Sequence, residues 1–171
     1  MVFHLNFLDT EKLLTISLTF NERIIMDKEE LLKNVDLFSG LKKKAIQSLG
    51  EFCVERSFKK DEILFKQGDS GIGLYIIASG KVKVVKEMSD GSELEVAVHG
   101  PGAFFGEMTV LDNAPRSASV IAIEDTDCLL LTSWVFKSRM EVQPEIALMV
   151  LPVVVKRFRE TNERLLEVSK L

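Results

Sequence analysis

Apolar and polar positions change their spacing twice along this chain, which divides it into a helical start, a β-rich middle and a helical end. In the middle part, short alternating or apolar runs are separated by turn-forming residues, and Asp90-Gly91 between two of them is a strong hairpin signal. This spacing predicts a closed sandwich or barrel of about eight strands and not βαβ units. The runs are Val54–Phe58, Glu62–Phe65, Gly73–Ala78, Lys81–Lys86, Glu93–Val98, Ser117–Ile123 and Asp127–Leu131.

The first part has helical spacing. Asp27 can cap a helix that runs to about Val35, and residues 42–52 follow as a second amphipathic helix. Residues 1–26 are an N-terminal extension. Met26 directly precedes the first helix and is an alternative initiator methionine, so whether the extension is genuine is an open question. The predicted domain spans 27–171, with helices in 27–52, a β-roll in 54–132 and C-terminal helices in 133–168.

In the last part, Ser133 can cap a short helix, and Pro144 suits the first position of a longer one. Pro152 lies inside that longer helix and removes a backbone hydrogen bond, so we expect a kink or a short break between Val150 and Val153. Mostly apolar residues repeat with the alternating spacing of a coiled-coil seam, which predicts a homodimer through 147–168. A helix packed on its own barrel gives similar spacing. The positions are Ala147, Leu151, Val154, Phe158, Thr161, Leu165 and Val168.

Composition narrows the functional classes. The chain of 171 residues is 46% hydrophobic and 28% charged, as in ordinary soluble globular proteins, and its net charge of −4 gives no basic face for nucleic acid. Cys53 and Cys128 have no metal-binding or redox spacing. No apolar run reaches the roughly 18 residues of a membrane span. We therefore expect a cytoplasmic protein with no membrane span and no direct contact with nucleic acid.

The segment from Phe104 to Ala118 has the composition of a small anion-binding site. Gly106 leaves room for a ligand against the backbone, and Glu107 can accept hydrogen bonds from hydroxyl groups. The residues that follow can begin a short helix with free N–H groups. Arg116 supplies a planar fork that matches phosphate oxygens, and Ser117 supplies a further donor. A simple turn with a solvated Arg and Glu is the competing interpretation.

This segment resembles the phosphate-binding cassette of the cyclic nucleotide-binding domain family, which runs F-G-E, a short helical turn, then P-R-S/T/A-A. Gly68-Asp69 and residues 74–82 are also similar to that family, so the resemblance covers about residues 27–168. It implies a mainly β fold with flanking helices, a double-stranded β-helix (jelly roll) that holds a cyclic nucleotide. It also implies that the C-terminal helix covers the base.

The resemblance also implies roles for individual residues. Arg116 would pair with the exocyclic phosphate oxygens and Glu107 with the ribose 2′-hydroxyl. Thr161 and Asn162 fall where members similar to the cAMP receptor protein place base-contacting residues. Ser117 after the arginine favours cAMP over cGMP, with cGMP still open. The implied cassette residues are Gly106, Glu107, Met108, Thr109, Arg116, Ser117 and Ala118; Val84, Val96 and Phe105 are candidates for the ribose and base wall, or for the core.

Two other functional classes compete. A cupin-like enzyme needs several histidines around a metal, whereas this chain has His4 and His99 far apart, so we expect neither an enzyme nor a cofactor beyond the nucleotide ligand. A transcription factor of the cAMP receptor type carries a helix-turn-helix after the long helix, and none follows here. We therefore expect a stand-alone sensor that signals through its C-terminal helix to a downstream protein which the sequence does not identify. The alternative is a degenerate β-roll that serves as an interaction or scaffolding domain.

Overall fold

A computed structural model describes residues 28–168, although the side chains of Thr161 and of residues 164–168 lie outside the description. The strands are β1 (Val54–Phe58), β2 (Ile63–Phe65), β3 (Gly73–Ser79), β4 (Val82–Glu87), β5 (Glu93–His99), β6 (Phe104–Phe105), β7 (Ser119–Ala122) and β8 (Thr126–Thr132). They form two four-stranded antiparallel sheets, in the orders β1-β8-β3-β6 and β2-β7-β4-β5. The predicted jelly roll is confirmed. Strand β6 escaped prediction because two residues show no period.

Helices lie at both ends of the roll and at one point inside it. Helix α1 covers 28–33, followed by a 3-10 turn at Asp36–Phe38, α2 (Lys43–Gly50), α3 (Glu107–Asp112), α4 (Ser133–Val142) and α5 (Glu145–Val168). The cap of α4 is Thr132 and not Ser133, since the Thr132 side chain accepts the Val135 N–H at 3.4 Å. Asp27 and the extension 1–26 lie outside the described residues.

Alternation along the central strands gives the fold two apolar clusters. In β3, Leu74 and Ile76 point to a cluster with the helices, whereas Tyr75 and Ile77 point between the sheets. The same division holds in β8, because successive side chains of a strand face opposite sides. Strand β3 is therefore buried on both faces, and it lies beside β6, which leads directly into α3.

Helix α5 differs from the prediction in two respects. It continues through Pro152, so the break is not formed, because one lost hydrogen bond is outweighed by the burial of Ile146 and Val150 against the domain; the kink, the other expected outcome, stays a prediction. The predicted seam also mixes two faces of the helix, since Val154 packs against its own domain while Leu151 and Phe158 are exposed. Thr161, Leu165 and Val168 have no described side chains.

The apolar residues that α5 exposes form a different row. Leu148, Leu151, Val155 and Phe158 are 64%, 57%, 46% and 65% exposed, and we call them the α5 stripe. They follow the spacing of a coiled-coil seam. Among residues 28–168, no helix is both long enough and apolar enough for a membrane span.

Candidate functional site

The site begins where β6 ends and the chain turns into α3. Gly106 sits at the N-terminus of α3 with φ of 81° and ψ of 10°, a left-handed conformation that favours glycine. A Cβ atom at this position would lie 2.3 Å from Nη1 of Arg116. Both the backbone conformation and the space for the guanidinium therefore require glycine here.

Arg116 is buried beside this turn, with 4% of its surface exposed. Its Nη1 donates to the Gly106 carbonyl at 3.0 Å and its Nη2 to the Gly73 carbonyl at 2.7 Å. The buried Nε has no hydrogen-bond partner among the described residues. Burial lowers the pKa of Arg116, although Tyr75, Glu107 and Asp69 counteract part of the shift. A buried cation with an unused donor is suited to an anionic ligand.

A cavity of about 60 Å³ lies in front of the guanidinium. Ligand pockets are typically about 300–1,000 Å³, so a ligand of nucleotide size requires this cavity to widen. Most of the cassette residues meet at its wall, together with three apolar side chains. The lining consists of Gly106, Met108, Thr109, Arg116, Ser117 and Ala118, with Phe65, Val84 and Val120.

Glu107 is 8% exposed at the start of α3, and it is bound by a residue that sequence reasoning missed. Arg157, on α5, donates from Nη1 to Oε1 of Glu107 at 2.7 Å and from Nη2 to the Phe104 carbonyl at 3.0 Å. Its guanidinium carbon also lies 3.8 Å from the centroid of the Phe104 ring. One side chain thus attaches the C-terminal helix to the cassette. The available signal was a basic residue one turn before Thr161, but such residues are usually solvated.

His99 ends β5 near this ion pair. Its pKa is lowered mainly by burial and further by Arg157, while Glu107 acts in the opposite direction. The imidazole is therefore biased toward its neutral form.

Comparison with known proteins decides the family. A model of the cyclic nucleotide-binding domain matches residues 55–142. The chain belongs to this family. It is 34% identical over 131 residues to the "Cyclic AMP receptor protein" of Thermus thermophilus, and 32% identical over 137 residues to the "CRP-like cAMP-activated global transcriptional regulator" of Mycobacterium tuberculosis. These matches cover 77% and 80% of the chain but 61% of each relative.

A solved cyclic nucleotide-binding domain from Methylobacillus flagellatus is similar in fold. Its TM-score is 0.72 at 27% sequence identity, and the match covers 85% of this chain and 84% of that one. The cyclic nucleotide-binding domain described here brings its cassette residues together around one arginine. Of the predicted base contacts, Asn162 is exposed on α5 and the Thr161 side chain lies outside the description. Of the predicted wall residues, Val84 lines the cavity, Phe105 is buried between the sheets, and Val96 is exposed.

Proposed function

We propose that this domain senses a cyclic nucleotide, with cAMP favoured, and passes its ligand state to a downstream protein through α5. The observation that carries the proposal is the buried Arg116 with its unused Nε, next to Glu107. A cyclic nucleotide brings one phosphodiester charge for the guanidinium and one ribose hydroxyl for the carboxylate. In this proposal Gly106, Met108, Thr109, Ser117 and Ala118 surround the phosphate.

The choice of cAMP has two supports. The names of the two bacterial relatives specify cAMP. The second support is Ser117, which follows the cassette arginine and, by resemblance to the family, favours cAMP over cGMP. It is exposed at the cavity, where its hydroxyl lies 3.9 Å from the Met108 sulfur. Thr161 and Asn162 are proposed to face the base once α5 closes over it.

The route to α5 follows from the contacts of Glu107. Its Oε1 accepts from Arg157, so a ribose hydroxyl that binds the same carboxylate changes the bond that holds α5. Arg157 also donates to the carbonyl of Phe104, two residues before Gly106, so movement of the cassette reaches the helix by a second contact. We propose that this coupling makes α5 the output element of the sensor.

We also propose that α5 forms a homodimer through the α5 stripe and continues toward Asn162. A monomer leaves these large apolar side chains in water, whereas a paired helix covers them. The proposed sensor acts in the cytoplasm, without direct contact with nucleic acid and without catalysis. Both of its cysteines are free and buried, as suits a reducing compartment.

A second candidate function is a β-roll that has lost its ligand and serves as an interaction or scaffolding domain. The small volume of the cavity, about 60 Å³, favours it. In that case the α5 stripe would be the interaction surface, and Arg116 would only support the fold.

Calorimetric titration of the full chain with cAMP and cGMP tests the proposal. We expect saturable binding of cAMP, and a loss of about ten- to a hundred-fold in Arg116→Ala, because a charge-assisted hydrogen bond contributes about 1.5–3 kcal/mol. Arg116→Lys should also lose affinity, since a point charge does not reproduce the planar fork. No binding of either nucleotide would favour the scaffolding function, and tighter binding of cGMP would replace cAMP as the ligand.

The ribose contact has its own measurement. Wild type should discriminate strongly against 2′-deoxy-cAMP, and Glu107→Gln should discriminate much less. Equal affinity of the wild type for the two nucleotides would remove Glu107 from the ligand contacts.

A further inference from the structure

An aromatic ring covers one face of the Arg116 guanidinium. The guanidinium carbon Cζ lies 4.0 Å from the centroid of the Phe65 ring, and Tyr75 is more distant at 6.0 Å. Phe65 comes from β2, where it pairs with Val120 of β7, and it also lines the cavity. The ring thus reaches the arginine from β2, which lies outside the cassette.

Hydrogen bonds alone do not define the plane of this guanidinium. Its two bonds, to the carbonyls of Gly106 and Gly73, leave the group able to tilt about the line between the acceptors. A ring face whose centroid lies 4.0 Å from Cζ restricts that freedom. Gly71 also lies close, since a Cβ at that position would be 3.0 Å from Cζ of Arg116. The guanidinium therefore has a defined plane, in which Nε is the unused donor.

The Phe65 ring is itself held in place by other rings. Its centroid lies 5.8 Å from that of Tyr75 and 5.9 Å from that of Phe105. Tyr75 and Phe105 stack on each other with their centroids 5.5 Å apart and an angle of 5° between the rings. Because aromatic packing of this kind is rigid, the Phe65 ring is held against Arg116 in the absence of a ligand.

The Phe65 ring also reduces the free-energy cost of burying Arg116, a cation whose described hydrogen bonds go to neutral carbonyls. The negative face of an aromatic ring attracts a guanidinium, and it does so more strongly when water is excluded. Arg116 is only 4% exposed, so the attraction is stronger than it would be at a solvated site. The ring therefore stabilises the charged Arg116 guanidinium in a fixed orientation beside the cavity.

We propose that Phe65 is a positioning residue for phosphate recognition, whose ring face orients the Arg116 guanidinium toward the cyclic phosphate. The inference rests on the proposed function and adds to it a residue outside the cassette. It requires that the electrons of the ring matter, and not only its volume.

Replacement of Phe65 by mono-, di- and trifluorinated phenylalanines tests this requirement, because fluorine withdraws electrons from the ring face and changes its shape little. We expect the affinity for cAMP in the full chain to fall stepwise, to about three- to ten-fold below wild type for the trifluorinated ring. Phe58 is the matched control. It packs edge-on against Tyr75 at a centroid distance of 6.2 Å, with no stacked guanidinium among the described contacts, so its fluorination should leave affinity unchanged.

Two natural substitutions complete the test. Phe65→Tyr should keep near wild-type affinity, whereas Phe65→Leu should lose affinity while urea denaturation shows a folded domain. A flat fluorination series, or an equal loss at Phe58, would overturn this inference alone. Failure of the wild type to bind either nucleotide would overturn the proposed function and the inference with it.

Discussion

Arg157 and Glu107 are joined by a 2.7 Å ion pair that connects the C-terminal helix to the first residue of α3. The Glu107 side chain is 11% exposed and that of Arg157 is 35% exposed, so the pair is screened by water on one side only. Together with the hydrogen bond from Arg157 to the Phe104 carbonyl, it joins α5 to the cassette, and in the proposed function it is the contact through which the two elements influence each other.

A double-mutant cycle with Arg157→Gln and Glu107→Gln should measure that contact. We expect each variant to lower the free energy of unfolding by about 1 kcal/mol, with a coupling energy of about 0.5–1.5 kcal/mol by urea denaturation, because the pair is partly buried. Lys156→Gln is the control, since the Lys156–Glu160 pair is 3.9 Å long and exposed and should contribute almost nothing. A coupling energy near zero would show that this ion pair does not hold the helix, and would leave packing and the hydrogen bond from Arg157 to the Phe104 carbonyl to do so.

Gly71→Ala should disturb the arginine through its neighbours. The new Cβ would lie 2.3 Å from Cγ2 of Thr109 and 3.0 Å from Cζ of Arg116, so we expect a loss of about 1–3 kcal/mol in stability together with weaker binding of cAMP. Gly100→Ala is the matched control, because its nearest neighbour, Cγ of Lys81, is 4.0 Å away. Denaturation and calorimetry on both variants give the comparison. Wild-type behaviour of Gly71→Ala would contradict the tight packing around Arg116.

The α5 stripe predicts a dimer that one substitution dissociates. Phe158→Glu places like charges in an apolar seam and should give monomers by light scattering, at little cost to the folded monomer because Phe158 is 65% exposed. Phe158→Leu should remain dimeric. As a control, Met88→Glu changes another exposed apolar residue, 42% exposed in the β4–β5 turn, and should leave the dimer intact. A monomeric wild type with and without cAMP would exclude the dimer and leave α5 as a lid over its own site.

His99 should make stability depend on pH in the mildly acidic range. Because burial and Arg157 lower its pKa below 6.5 in the folded state, the unfolded chain takes up the proton first as the pH falls. The free energy of unfolding should therefore decrease below about pH 6.5, and His99→Gln should make this decrease shallower. His4→Gln serves as the control for the second histidine of the chain. Equal pH profiles for wild type and His99→Gln, measured by urea denaturation, would refute the assignment.

Local patterns were sufficient for most of the roll and for the cassette. Strand alternation and turn residues predicted seven strands in place, and Asp90-Gly91 predicted the β4–β5 hairpin, where the Gly91 N–H donates to the Met88 carbonyl at 3.0 Å. Gly106 and Arg116 could be predicted as one candidate site because the turn, the short helix and the arginine lie within a sequence separation of 10 residues. Interactions at short sequence separation leave their requirements in adjacent residues.

Contacts between distant segments were decided only by tertiary packing. Arg157 lies 50 residues from Glu107, and Arg116 lies 43 residues from the Gly73 carbonyl. Neither pairing produces a local period or motif, and neither does the approach of the Phe65 ring to Arg116. The face of α5 that packs on the domain was also set in this way. Helical spacing identifies an apolar stripe, but which stripe is buried depends on the surface that the rest of the chain presents to it.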